Sequence, residues 1–335
     1  MNKFVSEYFF RARDIVGRFN GDNEVVLQFF QREKNAVLSG INEALELLKE
    51  KLSGTSTVIR YLPEGTIIQP KEVVLELEGR YQDFGIYEGI IDGILARATS
   101  IATNSYRCIQ AAKGKEIICM SDRSDHYSNQ VRDGHSMYVG GIRSFSSYSQ
   151  VPEGKESECV VYGSIPHALI QNFRGDLIQV MEHYHELFPD EDLVALVDFH
   201  NDVIGDSLRV LDKLGSKLKG VRVDTSSFVK DVMFDNDSKE YGVTPLQIKN
   251  LRETLDRYPN GKDVRIYVSS GFNPERISYF EEQNTPVDGY GVGEALLKIN
   301  NTFCADAVKL NGEEIAKFGR FYRANENLIE YKCQK

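Results

Sequence analysis

The sequence predicts an irregular, TIM-like α/β barrel joined to a small α+β sandwich built from both ends of the chain. Three observations carry this. From about residue 100, short apolar runs recur with helical stretches between them, the rhythm of a parallel sheet covered by helices. Seven or so such runs occur: KEIICM (115–120), YVGGI (138–142), ECVVYG (158–163), DLVALVD (192–198), GVRVD (220–224), DVRIYVSS (263–270) and DGYGVG (288–293). That number suits a closed or nearly closed barrel, and the chain before and after it lacks the alternation. A doubly wound open sheet is the competing layout, because periodicity treats the two alike. At 335 residues the chain exceeds one small core, and the expected division is 1–100 plus 300–335 for the sandwich and 101–299 for the barrel.

The flanking elements follow from local pattern. Residues 24–38 are rich in apolar and β-branched types and read as strands. Ile41, Ala44, Leu45, Leu48 and Leu52 then recur on one helical face. Residues 57–78 read as short strands broken by Pro63, Gly65 and Pro70, with Val73, Leu75 and Leu77 on one side. Within the barrel region, Ile204, Leu208 and Leu211 followed by Gly215 mark a helix face and its end. Near the C-terminus, Asn311-Gly312 is a strong hairpin signal, and the tail is expected to return to the first domain.

Composition narrows the function. Hydrophobic residues at 41% and charged residues at 27% describe a globular chain, not a disordered one. A net charge of −10 argues against a nucleic-acid partner. No apolar run reaches the length of a membrane helix. The opening MNKFVSEYFFRARD carries acids and arginines close behind its apolar patch, unlike a leader. Cys108, Cys119, Cys159, Cys304 and Cys333 are scattered without a C-x-x-C pair, which fits a reducing compartment and no zinc cluster. A cytoplasmic enzyme is therefore expected, with neither membrane nor nucleic acid as partner and no resident metal cluster.

In α/β barrels the chemistry lies at the C-terminal ends of the strands. Here those ends carry Ser121-Asp122-Arg123, Ser164-Ile165-Pro166-His167, Asp198 with His200 beyond it, Asp224-Thr225, Ser269-Ser270-Gly271, and Gly291 with Gly293. The glycines after the last two strands suit a phosphate held by backbone N–H groups, or are ordinary turn glycines. His167, near a helix start, is placed to act as acid, base or phosphoryl acceptor, or as a plain first-turn residue. Arg222 and Asp224 are two apart on one strand and share a face, as a substrate-facing pair or a structural ion pair. Arg123 is suited to bidentate contact with a carboxylate or phosphate, or to the surface. His183 and His185 fall on different helix faces and read as solvent-facing, and the charge runs at Glu186–Asp192 and Asp231–Glu240 as solvated loops.

Six segments, in order, resemble motifs of the nicotinate phosphoribosyltransferases in their shorter bacterial and archaeal form: ARATSIATNSYRCIQAAKGK (96–115), HSMYVGGI (135–142), GSIPHALIQ (163–171), GVRVDTSS (220–227), IYVSSGFNPERI (266–277) and GYGVGEAL (289–296). LPEGTIIQPKEVVLELEGRY (62–81) resembles that family's small β domain. The resemblance implies a barrel plus sandwich, and a reaction in which nicotinate and phosphoribosyl pyrophosphate give nicotinate mononucleotide and pyrophosphate, in NAD salvage. It implies magnesium on the pyrophosphate, and ATP phosphorylating the histidine at His167. Asp224 would stabilise the ribosyl cation, and Arg222 and Arg123 would hold carboxylate and phosphates. Substrate contacts extend to Ser164, Asp198, Ser270, Gly271, Gly291, Gly293 and the threonine of the Ala102-Thr103 step. The family's homodimer, with shared sites, implies that Tyr8 stacks on the partner's bound base with Arg11 beside it.

The chain departs from the pattern in places. The paired arginines become Arg123-Ser124, S-G-G becomes Ser269-Ser270-Gly271, and G-V-G-T ends in Glu294. A carboxylate about 4 Å from a phosphate costs on the order of 4 kcal/mol at an effective dielectric of about 20. Glu294 is therefore expected to turn away, pair with Lys298, or mark a changed donor site. The segments 143–154 and 225–232 also diverge, and the family's C-terminal metal-binding cysteines are absent. These differences leave two alternatives beside nicotinate transfer: the same chemistry on nicotinamide or quinolinate, or a non-catalytic nucleotide-binding relative.

Overall fold

The structure is a computed structural model that describes residues 2–332, so Cys333 lies outside the described residues. The chain divides into two compact units. One takes the chain up to Tyr106, His135–Gly141 and the chain from Lys298; the other takes Arg107–Gly134 and Ile142–Leu297.

The first unit is built on a five-stranded antiparallel sheet. Its spatial order is Cys304–Leu310, Glu24–Phe30, Val73–Arg80, Val58–Tyr61 and Ile329–Glu330. Both edge strands come from the C-terminal segment, as the tail was expected to return. Leu27, Phe29, Leu75 and Leu77 face the helix Ile41–Lys51, whose Ile41, Ala44, Leu45 and Leu48 form the predicted stripe; Ile91 and Leu95 of the helix Glu88–Ala111 complete this core. Gly40, with φ +86°, permits the entry to the first of these helices, since a Cβ there would lie 2.7 Å from the Ala98 side chain.

The other face of the sheet departs from simple alternation. Val74 and Glu76 are buried as fully as Leu75 and Leu77, because the C-terminal segment crosses this face. Gln28 donates to Glu76 at 2.7 Å and to the Arg323 carbonyl at 2.9 Å, and Asn325 donates to the Val73 carbonyl. Arg60 bridges Glu76 and Glu78 at 2.8 and 2.7 Å, so the buried carboxylate is paired.

The Asn311-Gly312 turn forms, with φ of +48° and +83°, but the predicted hairpin stops after one bridge, Leu310 to Glu313. Beyond it Ile315 and Phe318 remain exposed. They have no face to bury, so the ladder is not extended. The chain next enters a strand at Ile329–Glu330, against Val58–Tyr61.

Two carboxylates one turn apart open the long helix. Burial raises Glu88 to about 7, helped by the charges of Asp92 and Asp306. Burial also raises Asp92 to about 6, and its Oδ1 has no hydrogen-bond partner. A carboxyl whose folded-state pKa is raised favours the folded state while protonated, so stability falls as pH rises from about 4.5 through about 7. Glu88→Gln is expected to raise the melting temperature at pH 8. The gain should vanish below pH 4.5, and thermal melts at the two pH values check it.

The second unit is a seven-stranded, all-parallel curled half-barrel. Its strands are Glu116–Cys119, Ser144–Phe145, Val160–Val161, Leu193–Leu196, Leu218–Val223, Arg265–Val268 and Gly289–Val292. Each neighbours the next in sequence except the third and fourth, and the last pairs with the first, Gly289 opposite Glu116. The seam lies between Val160–Val161 and Leu193–Leu196. Last-to-first pairing is barrel winding, which removes the doubly wound alternative. Tyr267 fills the interior: a Cβ on Gly220 or Gly289 would meet its ring at 3.0 or 2.9 Å.

Four readings of local pattern are corrected. YVGGI is not a strand. Tyr138 and Val139 end the helix Gln130–Val139, and a Cβ on Gly140 would lie 2.3 Å from the Ala102 carbonyl, so these glycines serve close helix packing. The second strand is instead Ser144–Phe145. On the helix Val203–Leu214 the buried stripe is Val203, Ser207, Val210 and Leu211, together with Asp206, while Ile204 and Leu208 sit at its margin. Asp231 is 1% exposed, not part of a solvated run. It accepts from the backbone of Val203 and Met233 and from Gln247, pinning the loop after Asp224. His183 is exposed, but His185 is half-buried with an unpartnered Nδ1. No helix among the described residues is long and apolar enough to cross a membrane.

Candidate active site

The half-barrel's strand ends converge on one set of polar groups. Arg222 and Asp224 continue the strand Leu218–Val223, and period-two geometry turns both away from the buried Val221 and Val223. Arg222 reaches across the barrel. Its Nη2 donates to the Ile165 carbonyl at 3.2 Å, and Nη1 lies 3.8 Å from the Met120 sulfur. Its Nε is buried without a partner. Burial lowers the Arg222 pKa, while Asp224 and Asp198 oppose that and Arg123 adds to it. The guanidinium is thus a desolvated cation held by the fold, with one donor unused.

The carbonyl of Ile165 belongs to the loop that presents His167. Pro166 precedes the short helix His167–Asn172 and sets its entry. The His167 Nε2 lies 3.2 Å from Asp198 Oδ1, whose side chain is 6% exposed just beyond the strand Leu193–Leu196. Desolvation raises the Asp198 pKa; the His167 charge pulls it down and Asp224 pushes it up. A carboxylate behind an exposed imidazole orients the ring and stabilises positive charge on it.

Asp224 is oriented from the next strand. Ser269 donates its hydroxyl to Asp224 Oδ1 at 2.6 Å, and the Ser269 N–H bonds the Val223 carbonyl at 3.0 Å. Ser270 and Gly271 follow with φ of +78° and +73°, a pair of left-handed residues of which the first carries a side chain. Gly291 lies on the last strand, Gly289–Val292, and Gly293 directly follows it. A Cβ on Gly291 would lie 2.5 Å from the Met120 sulfur, and one on Gly293 would lie 2.9 Å from the Met120 carbonyl. Their bareness therefore admits Met120, which rests against Arg222. Glu294 is exposed at the start of the one-turn helix after Gly293.

Of the residues singled out from sequence, His167 with Asp198, Arg222, and Asp224 with Ser269 come together, with Ser270 and Gly271 following directly on Ser269. Arg123 and Ser164 are exposed on loops of the same unit. Tyr8, Arg11 and Thr103 belong to the other unit. Thr103 is buried and accepts from the Val37 N–H at 3.0 Å. Tyr8 is 63% exposed, and Arg11 lies 3.6 Å from Glu7. Met120 and the Ile165 carbonyl escaped the sequence reading. A methionine ending an apolar run looks like core, and a backbone carbonyl leaves no mark in composition. No group of three or more His, Cys, Asp or Glu side chains among the described residues could cage a metal ion.

Comparison with known proteins places the fold. The family model for the quinolinate phosphoribosyl transferase N-terminal domain matches residues 8–99. A nicotinate phosphoribosyltransferase of Mycobacterium tuberculosis, pncB2, is 23% identical over 240 residues, 70% of this chain and 47% of that protein. The chain thus spans about half the length of the curated relatives it matches. The crystal structure of nicotinate-nucleotide pyrophosphorylase from Pyrococcus furiosus is similar at 30% identity and a TM-score of 0.82, covering 95% of this chain and 78% of that one. Human nicotinic acid phosphoribosyltransferase shares the fold, with a TM-score of 0.69, 16% identity and coverage of 95% and 77%. The fold is that of the barrel-type phosphoribosyltransferases. Within that class the chain belongs to the quinolinate and nicotinate phosphoribosyltransferase family.

Proposed function

We propose that the protein transfers a phosphoribosyl group to nicotinate. The observation that carries this is the half-buried Arg222, whose buried Nε is unpartnered, flanked by the His167–Asp198 and Asp224–Ser269 pairs. One desolvated cation matches one carboxylate on the base. Two carboxylates near it, Asp198 and Asp224, disfavour a base with a second negative charge. The same count separates nicotinate from quinolinate, and an uncharged amide would leave the cation's charge unmatched.

In this reading the base's ring nitrogen attacks C1 of the phosphoribosyl donor. The C1–N bond forms as the C1–O bond to pyrophosphate breaks, and the bonding pair leaves with pyrophosphate. Asp224, held by Ser269, faces the positive charge that grows on the ribose. Ser270-Gly271 and Arg123 serve the donor's phosphates, and Ser164 and the Gly291–Gly293 strand border the same ring of loops. Asp198 and Asp224 are the carboxylates that would hold magnesium, which would supply neutralisation of the pyrophosphate charge. His167, exposed and with Nε2 facing Asp198, would take the γ-phosphoryl group of ATP on its other ring nitrogen: the N–P bond forms as the bond from the γ-phosphorus to the bridging oxygen breaks, and ADP leaves with that bonding pair. A homodimer would bring the exposed Tyr8, with Arg11, onto the partner's base. A cytoplasmic place in NAD salvage accords with this chemistry.

The test is product formation with nicotinate, nicotinamide and quinolinate in turn, each with phosphoribosyl pyrophosphate and magnesium, with and without ATP. Mononucleotide should form from nicotinate with kcat/KM at least about 100-fold above the others, the value of roughly 3 kcal/mol for one buried charge-assisted contact. ATP should stimulate wild type and leave His167→Ala unaffected. Preference for quinolinate, or no turnover from a folded protein, would overturn the reading.

A further inference from the structure

We propose that Arg276 is the positioning residue of the donor's phosphate loop, holding Ser270 in its left-handed conformation; this rests on the phosphoribosyl transfer proposed above. Ser270 adopts φ +78° and Gly271 +73°, a region in which a side-chain-bearing residue is disfavoured unless its surroundings hold it there. Arg276 supplies the hold. Its Nη1 donates to the Ser270 carbonyl at 2.5 Å and its Nη2 to the Val243 carbonyl at 2.7 Å. The guanidinium packs over Phe272, 4.4 Å from the ring centre, and within 5.8 Å of that of Phe280. Phe272 and Phe280 are themselves buried. Asn273 caps the backbone N–H of Arg276 at 2.8 Å, so the helix Pro274–Glu282 fixes the base of the side chain.

Arg276 therefore ties two successive βα loops, one through Ser270 and one through Val243, without any carboxylate bonded to it among the described residues. A Cβ on Gly271 would lie 3.6 Å from Arg276 Nη1, which places the guanidinium beneath the loop's glycine. Ser269 has its own anchor, its N–H on the Val223 carbonyl at 3.0 Å, so its hydroxyl stays on Asp224 independently of Arg276. An arginine is required because two carbonyls from different loops need a planar fork, which a lysine ammonium at the end of a flexible stem does not offer.

The experiment compares wild type, Arg276→Gln, Arg276→Lys and Arg276→Gln combined with Ser270→Gly. Arg276→Gln is expected to raise KM for phosphoribosyl pyrophosphate on the order of tenfold to a hundredfold. KM for nicotinate and kcat at saturating donor should stay within about threefold. The lysine variant should fall between. Glycine at position 270 accepts positive φ freely, so the double variant should regain most of the donor affinity. Ribose 5-phosphate binding, read by thermal shift, needs no turnover and should weaken in parallel; it keeps the test alive if the transfer reaction itself fails. If Arg276→Gln does not fold, Arg276→Lys with and without Ser270→Gly carries the same readouts. An equal fall in kcat with unchanged donor KM, an unchanged ribose 5-phosphate shift, or no rescue by Ser270→Gly would overturn the proposal.

Discussion

Arg222→Met should lower kcat/KM for nicotinate by about thirtyfold to several thousandfold, the equivalent of roughly 2–5 kcal/mol for losing one side of a buried charge pair. The effect is large for three reasons. The guanidinium is desolvated, so water does not replace its contacts. Its Nε is unpaired, so its charge and that donor are available to a substrate carboxylate. Its Nη2 also anchors Ile165, and through that loop the position of His167. The substitution also removes the guanidinium whose charge Asp198 and Asp224 share, while their mutual repulsion remains. Asp198, already raised by desolvation, should then hold its proton to still higher pH. The variant should be most stable in acid and lose stability on the way to pH 8 more steeply than wild type. Kinetics with nicotinate, and urea melts at pH 5 and pH 8, check both parts. Arg222→Lys should recover part of the stability and little of the activity, because an ammonium does not reach Ile165 and a substrate carboxylate together. Unchanged kinetics in Arg222→Met would show that the carboxylate is bound elsewhere.

The second large effect is expected at Asp198. Asp198→Asn keeps the shape of the pair with His167 while removing its charge. The imidazole then loses the group that orients it and stabilises its positive form. ATP stimulation should fall about 10²- to 10⁴-fold, the range seen where a carboxylate is taken from behind a working histidine. Stability should move the other way. Desolvation holds the Asp198 pKa above its ordinary value, so at neutral pH the ionised carboxylate works against folding, and its stabilising, protonated form is lost as pH rises through the raised value. The asparagine variant should melt at or above the wild-type temperature at pH 7.5 while its ATP-coupled turnover collapses. A loss of both together would mean that the carboxylate serves the fold and not the histidine.

Much of the architecture was legible because it rests on local rules. The helix Ile41–Lys51 shows its buried stripe at i, i+3, i+4 and i+7. The strands at 116–119, 193–196, 265–268 and 289–292 fall within predicted apolar runs, and the strand at 218–223 overlaps the run at 220–224 but starts two residues before it. Arg222 and Asp224 could be placed on one face because strand periodicity is two. YVGGI misled for a local reason as well. A short apolar run suits a strand or a buried helix equally, and what settled it was room for Gly140 against the Ala102 carbonyl. At Asp231 the charge run looked solvated, since nothing in its neighbours along the chain announces Val203, Met233 and Gln247 as donors.

By itself, then, the sequence determined most of the strands and helices, which residue types stand at the strand ends, and that the tail returns to the first domain. These depend on periodicity, turn chemistry and burial of one face, all written within a few residues of one another. Tertiary structure alone decided that the last barrel strand pairs with the first, and that Gly291 makes room for Met120 against Arg222. It also decided that Ser269 aims Asp224 and that Arg276 joins the loops of Ser270 and Val243. Each of these joins groups tens to more than a hundred residues apart or depends on a neighbour's volume, and hydrogen-bond geometry over such separations is set by the curled sheet of strands.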